Sequence, residues 1–263
     1  MNEIVKETLL DYLNEDGKLN IPSKAERILF DVGTSYAAPH SEVWTRGNGD
    51  VFVFAFEPHP ICIESVKSGE WKQNPYGPHW RHQYQLDTKM LGNQVYLIES
   101  ALFSGQPRYS DFYCTNESPS SNDPGCSSLY EPSPDSPISI DKKIKVPTFA
   151  LEELFKLFPW DRFPFIEHVK IDAQSADYNI LLGMGEYIKR ILYITVEAHT
   201  IDSHNKKPQY NNPDEDPDKL KSYIENNGFE CKSWGANGTF YNKNLREYWD
   251  DKENGFEYFF LGH

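Results

Sequence analysis

The sequence predicts an α/β fold: a mostly parallel sheet of seven strands, helices on both faces and an antiparallel strand near the C-terminal end. Ile28 to Val32 and Val51 to Phe56 are short and almost continuously apolar, as strands buried on both faces must be. Such runs alternate with helical segments, the rhythm that lays crossover helices over a parallel sheet. The first run also passes directly into a small-residue turn, Asp31-Val32-Gly33-Thr34-Ser35-Tyr36-Ala37. Open α/β sheets hold nucleotide-type cofactors at such a turn.

The elements follow in order. Ile4, Leu9, Leu10 and Leu13 have loosely helical spacing and the pattern ends near Asp16-Gly17, so residues 1–24 read as an N-terminal helical extension laid across the domain. The strands Ile28 to Val32 and Val51 to Phe56 come next, and Pro60 to Ser68 fits the helix after them. Val95 to Ile98 makes a third strand, Val169 to Ile171 a fourth within a run that starts near Ile166, and Ile191 to Val196 a fifth. Asp177 to Ile188 reads as one helix with Ile180, Leu181, Met184 and Ile188 on one face. Phe229 to Trp234, Thr239 to Tyr241 and Tyr258 to Leu261 supply the antiparallel edge. A chain of 263 residues can bury one large core, and residues 1–263 are expected to form a single domain.

Two polar segments interrupt the rhythm. Residues 107–140, with Ser118-Pro119-Ser120-Ser121-Asn122-Asp123-Pro124-Gly125 at their centre, read as an inserted loop that covers the active site, being too polar for core and too long for a minimal connection. Residues 202–218 follow the fifth strand, where loops line the ligand crevice of a doubly wound sheet.

The formal charge is −14, which repels phosphate backbones unless a basic patch is segregated. The basic groupings Asp141-Lys142-Lys143-Ile144-Lys145 and Lys206-Lys207 are short and flanked by turn formers; they read as solvated loop, and nucleic acid is not an expected partner. Cys62, Cys114, Cys126 and Cys231 form no C-x-x-C pair, the pattern of reduced thiols. The N-terminal residues carry acids and no long apolar core, unlike a signal peptide. No apolar stretch approaches the ~20 residues of a bilayer span, so the expectation is a cytoplasmic protein.

The turn itself indicates the cofactor. A dinucleotide site wants glycines in a G-x-G-x-x-G frame, which here reads Gly33, Ser35, Ala38. Losing the later glycines disfavours a pyrophosphate and suits S-adenosylmethionine, whose cationic amino-acid end also favours the Asp31 carboxylate. Glu57-Pro58 closes the second strand, 26 positions after Asp31, near the spacing at which an acid accepts from both hydroxyls of a ribose. Gly33, Thr34, Ser35, Pro58, Ser100, Ala101, Ser128 and Asp172 complete the expected cofactor set.

The fourth and fifth strands end in Lys170-Ile171-Asp172-Ala173-Gln174 and Val196-Glu197-Ala198-His199. Carboxylates and an imidazole at adjacent strand ends suit methylation of a hydroxyl, which needs in-line alignment and removal of one proton. His199 accepts that proton, Asp172 or Glu197 orients it, and Lys170 fixes a carboxylate or the acceptor. Alternatively Asp172, Glu197 and His199 hold a divalent cation that acidifies the hydroxyl, or Lys170 and Glu197 simply form a cross-strand ion pair. The metal-independent route is preferred. Gly125-Cys126-Ser127-Ser128-Leu129-Tyr130 brings hydroxyls to the site once the polar loop closes.

Taken in order, these motifs resemble the FkbM family of S-adenosylmethionine-dependent methyltransferases. Phe30-Asp31-Val32-Gly33-Thr34-Ser35 is similar to its first motif and Phe56-Glu57-Pro58 to its second. Ser127-Ser128-Leu129, Val146-Pro147-Thr148 before the helix Leu151 to Phe158, and Val169-Lys170-Ile171-Asp172-Ala173-Gln174 before Leu182-Gly183 are similar to the later ones. The resemblance implies a Rossmann-like class I methyltransferase fold and methyl transfer to a hydroxyl, with sugars, glycans and polyketides among the acceptors. A neutral carbohydrate is favoured here, and a nicotinamide-dependent oxidoreductase or a non-catalytic binding module are the rivals. Ser35 and Ala37 depart from the family's usual asparagine and glycine, and Ala37 is expected to set a methyl beside the cofactor.

Overall fold

The structure is a computed structural model, and it describes residues 1–70, 84–115, 124–197, 208–214 and 216–249. Its main elements are α1 (Glu3–Leu9), β1 (Arg27–Val32), α2 (Pro39–Thr45), β2 (Val51–Phe56), α3 (Pro60–Ser68), β3 (Val95–Ile98), β4 (Ala101–Leu102), β5 (Arg108–Cys114), β6 (Lys142–Phe149), α4 (Leu151–Phe155), β7 (Ile166–Ile171), α5 (Asp177–Leu182), β8 (Ile191–Glu197), α6 (Pro217–Asn226), β9 (Phe229–Trp234) and β10 (Asn237–Asn242).

The main sheet has seven strands in the order β3-β2-β1-β7-β8-β10-β9. β3, β2, β1, β7 and β8 run parallel, and β10 runs antiparallel to both its neighbours. From β1 the chain goes first to β2 and β3 on one side, then returns to β7 and β8 on the other. The strand order therefore reverses between β1 and β7, which opens a crevice at their carboxyl ends. Phe30, Phe54 and Phe56 form a stacked aromatic row on one sheet face, and Phe155 packs edge-on against Phe30. Leu29, Val53, Ala55 and Leu97 make a second buried cluster with Trp44 of α2 and Ile63 and Val66 of α3. The N-terminal extension is tied down by the Tyr12 hydroxyl, which donates to the Leu97 carbonyl at 2.6 Å, and by Arg162, which donates to the carbonyls of Ile21, Pro22, Ser23 and Ala25.

Four sequence expectations are corrected. Arg108–Cys114, within the segment read as loop, is strand: β5 pairs antiparallel with β6, and β4 joins β6 on its other side to make a separate three-stranded sheet. The segment Lys142 to Lys145 is therefore strand, its lysines exposed, with Lys143 and Lys145 on the face that meets Asp111. A strand wetted on one face carries polar and charged residues that read as loop. The helix expected over Asp177 to Ile188 stops at Leu182 and gives way to a 3-10 segment, Gly185–Arg190. Gly183 caps the helix, and a Cβ there would lie 2.7 Å from the Phe103 carbonyl oxygen, which leaves no room for a side chain. The helix expected over Leu151 to Phe158 likewise ends at Phe155. Tyr258 to Leu261 lie outside the described residues.

Candidate active site

β1 delivers the first wall of the crevice. Gly33 has φ +77°, and an ideal Cβ on it would lie 1.7 Å from the Asp172 carbonyl oxygen. Glycine is required because two strand ends pass backbone against backbone, with the Asp172 amide donating to the Val32 carbonyl at 3.0 Å. Thr34 turns its hydroxyl inward, 3.1 Å from the carbonyls of Asp31 and Phe56. Ser35 sits at φ +60°, and its amide donates to Glu57 Oε2 at 2.8 Å. The other Glu57 oxygen accepts from the His59 amide at 2.8 Å, so two backbone donors hold this carboxyl at the end of β2. His59 Nδ1 in turn accepts from the Ile61 amide, which leaves Nε2 to carry the proton and donate to the Thr115 carbonyl at 3.2 Å.

The crevice opens into a cavity of about 580 Å³, within the range of small-molecule and cofactor sites. Its wall contains Gly33, Thr34, Ser35, Glu57, Pro58, Ser100, Ala101, Lys170, Asp172 and Glu197. These are ten of the residues expected from the sequence, brought together from the ends of β1, β2, β3, β7 and β8. Asp31 and Ser128 are not in the wall. Alternation along β1 sends Asp31 to the α2 face, where its Oδ2 accepts from the Ser41 hydroxyl and amide at 2.7 and 3.2 Å and its Oδ1 lies 3.4 Å from Lys170 Nζ. The Ser128 hydroxyl donates to the Gln174 carbonyl at 2.6 Å, bracing the wall from behind. Ala37 does not reach the cavity either; it is fully buried beside Tyr36 and Cys62, contrary to the methyl expected beside the cofactor. His199 lies outside the described residues.

Other wall residues were not singled out from sequence. Leu102, Phe112, Leu129 and Ile180 form an apolar patch, and Gln174, Thr195, Gln209 and Asn237 add polar atoms. Phe112 was hidden inside the segment read as loop, whereas Gln174 lies two residues beyond Asp172 and was visible in the motif. Cys126 and Ser127 also line the wall.

Charge is concentrated at the ends of β7 and β8. Lys170 is buried; its Nζ donates to the Gly33 carbonyl at 2.8 Å and lies 3.7 Å from Asp172 Oδ2. Burial alone would lower its pKa, but Asp172 and Asp31 outweigh that and hold the ammonium above its usual value. Its ionic partners are thus Asp31 and Asp172, and Glu197 meets the Gln174 amide at 3.1 Å and hydrogen-bonds to the Asp172 side chain. Burial, then the charges of Asp172 and Asp177, push the Glu197 carboxyl well above the usual range. Burial likewise raises Glu57 to about 7, against the pull of its two amide donors, and raises Asp177 to about 7 with Asp172 adding to it. Among the described residues no group of three or more His, Cys, Asp or Glu side chains is placed to hold a metal ion, and none of their helices is long and apolar enough to cross a membrane.

The cavity accommodates a group such as S-adenosylmethionine in its chemistry. Ser35 Oγ is buried yet makes no hydrogen bond, and the wall offers carboxyl acceptors at Glu57 beside it. A search of curated proteins returns no match. A solved structure, the methyltransferase FkbM from Methylobacillus flagellatus KT, is 12% identical with a TM-score of 0.46 and covers 87% of this chain. The chain spans 46% of that protein's length. The family model described as the Methyltransferase FkbM domain matches residues 27–231, from the first residue of β1 into β9, and the chain accordingly belongs to the FkbM methyltransferase family.

Proposed function

We propose that the chain transfers a methyl group from S-adenosylmethionine to a hydroxyl of a sugar or glycan. The observation that carries this reading is the pairing, in one cavity, of a cofactor-type wall with an acid–base wall. Gly33, Ser35 and Glu57 form the first, and Asp172 with Glu197 forms the second. Bound there, the cofactor supplies an electrophilic methyl on a sulfonium. Glu57 would accept from its ribose hydroxyls, Ser35 Oγ would gain the partner it lacks, and Ser100 and Ala101 would help to hold it. The acidic wall suits the cation.

In this reading Asp172 takes the acceptor's proton, which its exposure supports: its side chain, in the cavity wall, is about a third exposed, where Lys170 behind it is 5% exposed. As the acceptor oxygen gains the methyl it releases one proton, and the carboxylate receives it. His199, two residues beyond Glu197 in the sequence, is proposed as the imidazole that forms the acid–base pair with Asp172. No metal is needed for this step. The apolar patch of Leu102, Phe112, Leu129 and Ile180 favours a second acceptor class, a polyketide or other small natural product with a hydroxyl.

Calorimetric titration with S-adenosylhomocysteine, with NAD as the control, tests the cofactor. Transfer of a labelled methyl group to a panel of deoxysugars, glycans and polyketide alcohols, read by mass spectrometry, tests the acceptor. Binding of NAD in preference to S-adenosylhomocysteine would overturn the reading.

A further inference from the structure

Gln174 occupies an unusual place in the site. Its Nε2 donates to Asp172 Oδ1 at 2.9 Å and to Glu197 Oε2 at 3.1 Å. Its Oε1 lies 3.0 Å from the Tyr210 hydroxyl, which is also 2.7 Å from the Cys126 carbonyl. The amide orientation follows from chemistry: turned over, its oxygen would face two carboxyl oxygens. One carboxamide therefore spends both N–H groups on two acids that reach the cavity from different strands.

The backbone that presents it is strained. Gln174 and Ser175 have φ of +50° and +79°, a conformation that costs a non-glycine residue about 1 kcal/mol or more. Two buried contacts hold it: the Ser128 hydroxyl donates to the Gln174 carbonyl at 2.6 Å, and Asn212 Nδ2 donates to the Ser175 carbonyl at 2.6 Å. Side chains from two segments that also pair with each other, through a bridge between Pro132 and Tyr210, thus converge on one dipeptide.

We infer that Gln174 is a positioning residue that locks Asp172 and Glu197 into a single acid–base unit for the proton transfer. The inference rests on the methyl-transfer reading for its use, and on geometry for its existence. The charges facing the pair are Lys170 on β7 and Asp177 on α5, with Asp31 behind Lys170. Two acids so close cannot both ionise freely, and Glu197, the more buried, keeps its proton to higher pH than an ordinary glutamate. A neutral clamp tolerates either charge state of the pair, whereas an acid in its place would add a third negative charge.

The test reads the clamp directly. In the ¹⁵N-labelled full chain, the side-chain amide signals of Gln174 are those lost in Gln174→Ala. Both amide protons should move as the acids titrate, one should shift in Asp172→Asn, and the other in Glu197→Gln. Amide protons at ordinary solvent-exposed positions that ignore pH and both substitutions would overturn the inference. Kinetically, Gln174→Ala should lower kcat at least about tenfold with the KM for S-adenosylmethionine changed less than about threefold. Gln174→Glu, of the same shape, should move the acid limb of the pH profile up by about one unit. A Gln174→Glu profile identical to wild type would count against the clamp. Absence of any S-adenosylmethionine turnover would overturn the methyl-transfer reading alone, because the amide signals report the clamp without turnover.

Discussion

Gly33 and Asp172 touch through their backbones: a Cβ on Gly33 would fall 1.7 Å from the Asp172 carbonyl oxygen. No rotamer relieves that overlap, since both sides are main chain. Gly33→Ala must therefore push the β1 turn away from the end of β7 or abandon φ +77°. The expected result is a loss of roughly 3 kcal/mol or more of stability, seen as a large fall in Tm, together with loss of S-adenosylhomocysteine binding in calorimetry. A variant with wild-type Tm would mean that the two strand ends are not so close.

The same pair shows what a sequence can carry. β1, β2, β3 and β8 were legible because strands covered on both faces are apolar throughout, and Gly33 was legible as the one glycine of the turn. Its reason was not: the glycine answers to a carbonyl about 140 residues away in the sequence, which no local pattern contains. β5 and β6 were missed because Arg108, Tyr109, Lys142 and Lys143 face water, so that half of each strand reads as loop. Glu57 and Asp172 were found as strand-end acids, but which way Asp31 and Ser128 point depends on pleat and neighbour, and both turn out to brace the wall from outside. The clamp at Gln174 joins residues on two strands and a distant segment, and only the fold brings them together.

Lys170 holds the turn rather than the acceptor. Its ammonium donates to the Gly33 carbonyl and faces Asp31, which is fully buried. Lys170→Met removes the only cation recorded against Asp31 among the described residues. Removal of one partner from a buried pair costs about 3–5 kcal/mol. The variant is expected to melt far below wild type at every pH near neutral, which thermal denaturation checks. An unchanged Tm with a lower kcat would instead put Lys170 on the acceptor.

Asp177 sets a pH dependence of stability. Burial raises it from the usual carboxylate value to about 7 in the folded chain, while the unfolded chain returns it to about 3.9. Folding therefore favours the protonated form, so its stabilisation is complete below about pH 4 and is lost as pH rises through about 7. Asp177→Asn, which keeps the Oδ1 contact to the Ala173 amide and cannot ionise, should lessen the fall in Tm between pH 5 and pH 8, leaving the part that Glu57 contributes. At pH 8 it should raise Tm by at least about 5 °C. Scanning calorimetry at both pH values decides it, and a variant that loses Tm equally at both would refute the linkage.

Ala37→Gly provides a direct contrast with the sequence reading. A methyl beside the cofactor would weaken binding, and glycine would then improve it. In the structure Ala37 packs against Tyr36 and Cys62 and does not line the cavity. Glycine should leave S-adenosylhomocysteine affinity within about twofold and cost roughly 1 kcal/mol through the lost methyl and the freer unfolded chain. Calorimetric titration and denaturant unfolding of the same preparation separate the two outcomes.

The acid pair separates proton transfer from metal assistance. If Asp172 takes the acceptor's proton, Asp172→Asn removes the base while keeping a side chain of the same size, and Gln174 can still meet its Oδ1. Turnover should fall by about a hundredfold or more, whereas S-adenosylhomocysteine affinity should change by no more than about fivefold, since that thioether carries no sulfonium charge for the lost carboxylate to attract. Glu197→Gln should cost less, because the carboxyl it replaces already keeps its proton to higher pH. Exhaustive chelation should leave the wild-type rate within about twofold, as a carboxylate base requires no Lewis acid. The decisive comparison is rate against chelator in wild type and in both variants, measured by labelled-methyl transfer. Restoration of a chelated enzyme by magnesium would reassign Asp172 and Glu197 as ligands, and the hundredfold loss in Asp172→Asn would then be accompanied by a lower affinity for the ion.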